Sequence, residues 1–212
     1  MNNKEILLNV CEVFYSLQGE SSYAGYPCIF VRLAECNLNC SYCDTKYSHA
    51  SGKLWKISDI ISEVQKYPVK LVELTGGEPM LQDDVVVLMT ELNDLGYQIL
   101  LETNGSIYLN DVPEYVSRII DVKTPGSGHG ESFMIYNLRN IRPRDEFKFV
   151  ITSHYDYDFA KEFISRHKLW DQKLIFSPVT FALPAQKLAE WILSDGLNVR
   201  MQIQLHKAIG IL

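Results

Sequence analysis

The 212-residue sequence contains no run of about 18 apolar residues, so it offers no candidate membrane-spanning helix. Its opening, MNNKEILLNVCEVF, lacks the charged flank, long apolar stretch and small-residue cleavage site of a secretory leader. Basic residues are in deficit, with 20 Lys and Arg against 26 Asp and Glu and a net charge of −6. No Lys/Arg stripe offsets that deficit, which argues against a nucleic-acid partner. Cysteines are few and odd in number, five in all, and three of them fall between positions 36 and 43. That clustering does not suit a secreted disulfide framework; in a reducing compartment it points to metal binding or catalysis. Low-complexity stretches, linkers and charged tails are missing too. The expectation is therefore a cytoplasmic protein acting on a small molecule, without membrane or nucleic acid, folded as a single domain over 1–212.

The hydrophobic fraction, 47%, is enough for a sizeable core. Apolar, β-branched runs predict strands at 29–33, 70–74, 98–101, 119–122, 147–151, 174–176 and 199–205. Several are continuous, as expected when both faces of a sheet are covered. Helical spacing joins Ile57, Ile60, Ile61 and Val64, and likewise Val85, Leu88, Met89 and Leu92. Leu188, Trp191 and Ile192 mark another helix, opened near Pro184 and closed near Gly196. Ser153 is placed to cap a helix carrying Phe159 and Phe163. Strand–helix alternation implies a parallel sheet with right-handed crossovers. A complete eight-stranded barrel needs about 250 residues. The reading is therefore an α/β fold, an incomplete open (β/α) barrel with a mostly parallel sheet and its site at the carboxyl ends of the strands.

Cys36, Cys40 and Cys43 follow the strand at 29–33, spaced by three residues and then two. Such a short loop can wrap three thiolates around one centre. An iron–sulfur cube usually takes four cysteines, so three leave one iron open to a ligand. The alternative is a structural zinc site with His49 as fourth ligand, although no second Cys/His cluster completes it. Cys11 and Cys28 lie in apolar surroundings and read as core thiols.

This Cys-x3-Cys-x2-Cys loop resembles the cluster motif of the radical S-adenosylmethionine superfamily. The resemblance implies a 4Fe-4S cluster whose open iron is chelated by the methionine moiety of S-adenosyl-L-methionine. It also implies a reductant such as flavodoxin or ferredoxin, and a single radical S-adenosylmethionine domain. Tyr42 is then the aromatic packed near the adenine. Thr75-Gly76-Gly77-Glu78-Pro79 resembles the segment that binds the methionine amino group, through Gly76, Gly77 and Glu78. The strand end with Glu102 and Asn104 resembles the ribose contact. Lys123 and Ser127, after the strand at 119–122, are expected to meet the cofactor. Each segment also reads as an ordinary turn or loop.

Ser16-Leu17-Gln18-Gly19-Glu20, Gly25-x-Pro27, Phe30-Val31-Arg32-Leu33, Cys43-Asp44-Thr45 and Gln204-Leu205-His206-Lys207 narrow the choice. In this order they look like the 7-carboxy-7-deazaguanine synthase family, from about Val13 to Lys207. That family converts 6-carboxy-5,6,7,8-tetrahydropterin to 7-carboxy-7-deazaguanine with loss of ammonia, in the deazapurine and queuosine pathway. It needs Mg2+ and forms a homodimer. Leu17, Gln18, Gly19, Glu20, Arg32 and Thr75 are then expected at the pterin substrate. An amide such as Gln18 both donates and accepts, Glu20 accepts from paired N–H groups, and the fork of Arg32 suits a carboxylate. Thr45 matches the position whose hydroxyl ligates Mg2+ alongside substrate and water oxygens. His206 and Lys123 are candidate general acids or bases for the departing amine.

Two departures stand out. Ser21 replaces the usual Gly after Gln-Gly-Glu, and Ala34-Glu35 precede Cys36 where Gly is usual. Glu35, beside an anionic cluster, is expected to point outward. The tail 209–212 is expected near the site. Two rivals remain open on sequence alone. A glycyl-radical activase would form its radical on a protein partner. A non-enzymatic metal-binding or electron-transfer protein would not need an open iron.

Overall fold

The computed structural model describes residues 5–50 and 52–211. The first four residues of the opening segment and Leu212, the last of the tail, lie outside the described residues. Among those described, nine strands form one sheet: β1 (Leu7–Leu17), β2 (Pro27–Leu33), β3 (Lys53–Lys56), β4 (Leu71–Gly76), β5 (Gln98–Thr103), β6 (Ser117–Asp121), β7 (Glu146–Ile151), β8 (Lys173–Pro178) and β9 (Arg200–Met201). Their order is β3-β1-β2-β4-β5-β6-β7-β8-β9, and the sheet does not close. From β2 through β9 every neighbouring pair is parallel. The open, mostly parallel barrel expected from the sequence is what is found.

β1 is the exception and is absent from the sequence reading. It runs antiparallel to both β2 and β3, with an irregularity between Val10 and Glu12. That bulge breaks the period-2 pattern that would have marked it. The strand expected at 199–205 is corrected to two residues, Arg200–Met201. Beyond Gln202 the chain leaves β8 and turns into a short helix.

Among the described residues five α-helices accompany the sheet: α1 (Ile57–Val64), α2 (Val85–Asp94), α3 (His154–His167), α4 (Ala185–Asp195) and α5 (Leu205–Ile209). Ser153 caps α3 by accepting from the Asp156 amide, and Gly196 ends α4 in the left-handed conformation. No α-helix joins β5 to β6 or β6 to β7; short 3-10 turns at Pro125–Ser127 and Ile135–Asn140 serve instead. The apolar faces of α1 to α4 bury Ile60, Leu88, Tyr157 and Leu188 against the outer side of the sheet, where Val31, Leu74, Leu101, Phe147 and Phe149 point. This outer layer is the main core, and it leaves the inner face of the sheet free for other work.

Candidate active site

The inner face follows a simple rule. Successive side chains of a strand point to opposite faces, so residues two apart share one. Phe30 precedes Arg32, Leu71 precedes Glu73, Leu100 precedes Glu102 and Ile119 precedes Asp121. The first member of each pair joins Cys28 in a small apolar plug. The second lines a cavity of about 340 Å³ at the carboxyl end of the sheet, together with Lys148 of β7 and Ser177 of β8. The barrel is thus floored with hydrocarbon and walled with charge.

Cys36, Cys40 and Cys43 all face this cavity. Their loop is held by other loops rather than by its own structure. Ser41 N donates to Ser127 O at 3.0 Å, Ser41 Oγ donates to Gly126 O at 2.7 Å, and Asn39 N donates to His129 Nε2 at 3.0 Å. The Gly76-Gly77 turn closes the other side. A Cβ on Gly76 would lie 2.1 Å from Leu33 O, and one on Gly77 would lie 2.7 Å from Cys36 Cβ, so only glycine allows this approach. Burial pushes the Cys36 and Cys40 thiols up, each raised further by a neighbouring carboxylate and Cys43, which leaves them dependent on a cationic centre to become thiolates. Among the described residues no three His, Cys, Asp or Glu side chains gather tightly enough to hold one metal ion. That is not the presentation of a zinc site, even though His49 Nε2 stands 3.8 Å from Cys43 Sγ. A cluster places each thiolate on a different iron and needs no single point of convergence, so the donor set fits it.

The other expected cofactor residues divide in two. Tyr42, Gly76, Gly77, Glu102, Asn104 and Lys123 line the cavity. Glu78 and Ser127 lie behind the lining. Glu78 is wholly buried and accepts from Met80 N, Thr103 Oγ1 and Asn104 N at 3.0, 2.8 and 2.7 Å, tying the glycine turn to the end of β5. Ser127 Oγ donates to Thr124 O at 2.6 Å and accepts from His129 N at 2.9 Å, shaping the loop that clasps Ser41. Lys123 Nζ donates to Asp121 Oδ2 at 2.9 Å. Burial alone would lower its pKa, but Asp121, Tyr42 and Cys40 raise it, so it is a fixed cation here.

Leu17, Gln18, Gly19, Glu20, Arg32 and Thr75 also reach the cavity. Gln18 is spent internally: its Nε2 donates to the Glu73 carboxyl, and its Oε1 accepts from Glu20 N at 3.0 Å. Glu20 Oε1 accepts from Gln204 Nε2 at 2.7 Å. Arg32 Nε donates to Glu12 at 2.8 Å while its guanidinium lies over Phe14 and Tyr47, so its fork is preset. Thr45 stands beside Cys43, with Oγ1 3.7 Å from the sulfur. The start of α5 folds over this wall. Leu205 N donates to Gly19 O at 2.9 Å, Lys207 pairs with Asp44, and His206 sits where a Cβ on Gly19 would be, 1.9 Å from Nδ1. Burial lowers the His206 pKa despite the pull of Glu20. The two departures from the family pattern also find their place. Ser21 and Glu35 both adopt positive φ, 64° and 74°, the conformation glycine takes most easily. Glu35 points outward as expected, accepting from Asn9 Nδ2 at 3.1 Å.

Sequence reasoning does not single out Glu73 or Lys148. Each is a lone charge within an apolar run, LVEL and FKFV, which is the available signal: such a charge is buried with a partner or not at all. Both are, at 4% exposure each. Burial, with Glu102 and Glu20 nearby, holds Glu73 well above the usual carboxylate range. Burial also raises Glu102, to about 7, against the opposing pull of Lys148. Glu20 goes the other way: Lys148 and Gln204 overcome the cost of its burial.

Residues 32–129 match the Radical SAM superfamily. The chain is 45% identical to the 7-carboxy-7-deazaguanine synthase of Koribacter versatilis (strain Ellin345), covering 95% of this chain and 96% of that one. It is also 45% identical to the enzyme of the same name from Chlorobaculum tepidum, over 97% and 95% of the two chains. The crystal structure of QueE from Escherichia coli superposes with a TM-score of 0.79 at 22% identity, covering 94% of this chain and 95% of that one. With three cysteines, a glycine turn and a charged wall meeting in one cavity, and with relatives this similar along nearly their whole length, the chain belongs to the 7-carboxy-7-deazaguanine synthase family of radical S-adenosylmethionine enzymes.

Proposed function

We propose that the chain converts 6-carboxy-5,6,7,8-tetrahydropterin to 7-carboxy-7-deazaguanine with release of ammonia. The observation that carries this reading is the shared cavity, where the cysteine loop and glycine turn meet the 17–20 loop, Arg32 and Thr45. When bound, the 4Fe-4S cluster and S-adenosyl-L-methionine would supply the radical chemistry that starts the reaction by hydrogen abstraction. The protein orients the reactants and excludes side reactions.

In this reading Cys36, Cys40 and Cys43 hold the cluster, and Gly76 and Gly77 let the methionine moiety approach the loop. Tyr42, Glu102 and Asn104 flank the nucleoside. Glu20 accepts the N–H edge of the pterin, and Thr75 lies on the same wall. Arg32, already oriented by Glu12, faces the substrate carboxylate, and Thr45 would hold Mg2+ through its hydroxyl when the ion is bound. Lys123, locked to Asp121 and strongly cationic, suits anion binding better than proton transfer. His206, with its lowered pKa, is the better candidate base of the two. The enzyme works as one domain and as a homodimer in the cytoplasm, drawing electrons from a flavodoxin- or ferredoxin-type donor, and its product enters deazapurine or queuosine synthesis.

The test is anaerobic turnover of the reconstituted protein with S-adenosyl-L-methionine, dithionite, Mg2+ and the carboxypterin, followed by mass spectrometry. Formation of the deazapurine, dependent on Mg2+, is expected. Reductive cleavage of the cofactor without deazapurine would overturn the substrate assignment.

A further inference from the structure

Lys148 stands at the middle of β7 with its ammonium turned inward. Three carboxylates from three different elements meet it. Glu20 Oε2, from the loop after β1, accepts at 2.7 Å. Glu102 Oε1, at the end of β5, also accepts from it. Asp121 Oδ2, at the end of β6, lies 3.4 Å away. An ammonium has three donors; Glu20 and Glu102 take two as hydrogen bonds, and Asp121 stands against the third as an ion pair. Lys148 therefore has little left to offer a ligand. Its work is done on the carboxylates.

Those carboxylates face both reactants in the reading above, Glu20 the pterin and Glu102 the cofactor. We propose that Lys148 is a positioning residue: one buried cation, shared by Glu20, Glu102 and Asp121, that holds Glu20 and Glu102 at the angle and in the charge state in which substrate and cofactor meet them. The proposal rests on the reading above and assigns a role to a residue that the family motifs do not include.

Charge counting supports it. Among the charged groups lining the cavity, Arg32 is paired with Glu12 and Lys207 with Asp44, which leaves four acids, Glu20, Glu73 of β4, Glu102 and Asp121, and two lysines, buried Lys148 and half-buried Lys123. The titratable group facing Glu20 from α5 is His206, which is itself flanked by Lys207 and Asp44, a pair already joined to each other. Two cations serve four acids, so the proton load falls on Glu73, which has no lysine contact, and on Glu102. Glu20 is spared, because Lys148 holds one oxygen and Gln204 the other. Without Lys148 one of these two cations would remain, Lys123, already bound to Asp121 Oδ2. Glu20 would then take up a proton and present a donor where the pterin edge requires an acceptor.

Lys148→Met and Lys148→Arg in the cluster-reconstituted enzyme test this. Binding of the carboxypterin and of S-adenosyl-L-methionine is measured separately by calorimetry across pH 6 to 9. In Lys148→Met, carboxypterin affinity is expected to fall at least tenfold at pH 7 and to recover as pH rises, a step that the unmodified enzyme lacks. The turnover loss should lie mainly in KM. Lys148→Arg keeps the charge and should abolish that step while binding more weakly than the unmodified enzyme. Unchanged affinity in Lys148→Met, or equal weakening in both variants with the original pH profile, would overturn the proposal. Should Lys148→Met not fold, unchanged affinity in Lys148→Arg would overturn it alone. Unmodified enzyme that binds the cofactor but no carboxypterin would sink the substrate reading instead. The cofactor isotherms, which report through Glu102, then decide on Lys148 by the same comparison.

Discussion

Lys148 and Phe149 are neighbours on β7, both hidden from water, and they serve opposite faces of one sheet. Phe149 points outward and packs edge-on against Phe163 of α3 and Phe176 of β8, inside a layer of aliphatic and aromatic side chains. Lys148 points inward to three carboxylates. The outer contacts are many, weak and mutually replaceable. The inner contacts are few, directional and interdependent, because removing one ion leaves its partners buried and unpaired. One face stabilises the fold, and the other holds a charge pattern that the fold must support.

The sharpest way to separate the faces is to remove a cluster ligand. Cys40→Ala is expected to abolish turnover, by more than about 1,000-fold, and to prevent the brown absorbance of reconstitution. The cluster-free protein should lose only on the order of 1 kcal/mol in urea unfolding. Next comes the neighbouring pair. Phe149→Ala should cost about 3–5 kcal/mol, the same at every pH. Lys148→Met should behave differently: its carboxylates gain raised pKa values, so the folded state binds the extra protons and stability falls as pH rises. Urea unfolding at pH 5.5 and 8.5 tests the contrast, and equal costs for Lys148→Met at both values would erase it.

A smaller effect should come from Glu73. Its folded-state pKa is raised, so between the unfolded value near 4.5 and the folded one the native state binds more protons. Stability then falls with rising pH, by at most about 1.4 kcal/mol per pH unit. Glu73→Gln should flatten that slope in thermal melts from pH 5 to 8. The smallest expected change is at Glu35, where the left-handed backbone is strained for a side chain. Glu35→Gly should raise stability by under about 1 kcal/mol, since added unfolded-state entropy offsets part of the relief.

The same two faces explain what the sequence reveals. Phe147, Phe149 and Ile151 make an apolar run that reads as a covered strand, and the helix stripes that cover it read as clearly. The parallel strands from β2 to β8 were legible for that reason. β1 was not, because its bulge and half-exposed residues blur the alternation. β3 has four mostly exposed residues, and α5 buries none of its side chains. The end of the chain looked like a strand because Val199, Met201 and Ile203 alternate; beside the edge of β8 only two residues pair. Cys36, Cys40, Cys43 and the glycine turn were legible as motifs. Glu73 and Lys148 were not, because their meaning depends on partners up to 128 residues away.

The clasp on the cysteine loop bears on how the enzyme is made. Its three hydrogen bonds from Asn39 and Ser41 reach to Gly126, Ser127 and His129. During synthesis, at about 5–20 residues per second, the cysteines emerge seconds before the segment that secures them. In that interval the loop has the glycine turn and the Asn37 contacts but lacks the clasp from 126–129. A nascent fragment ending before residue 124 would carry the full motif without this clasp.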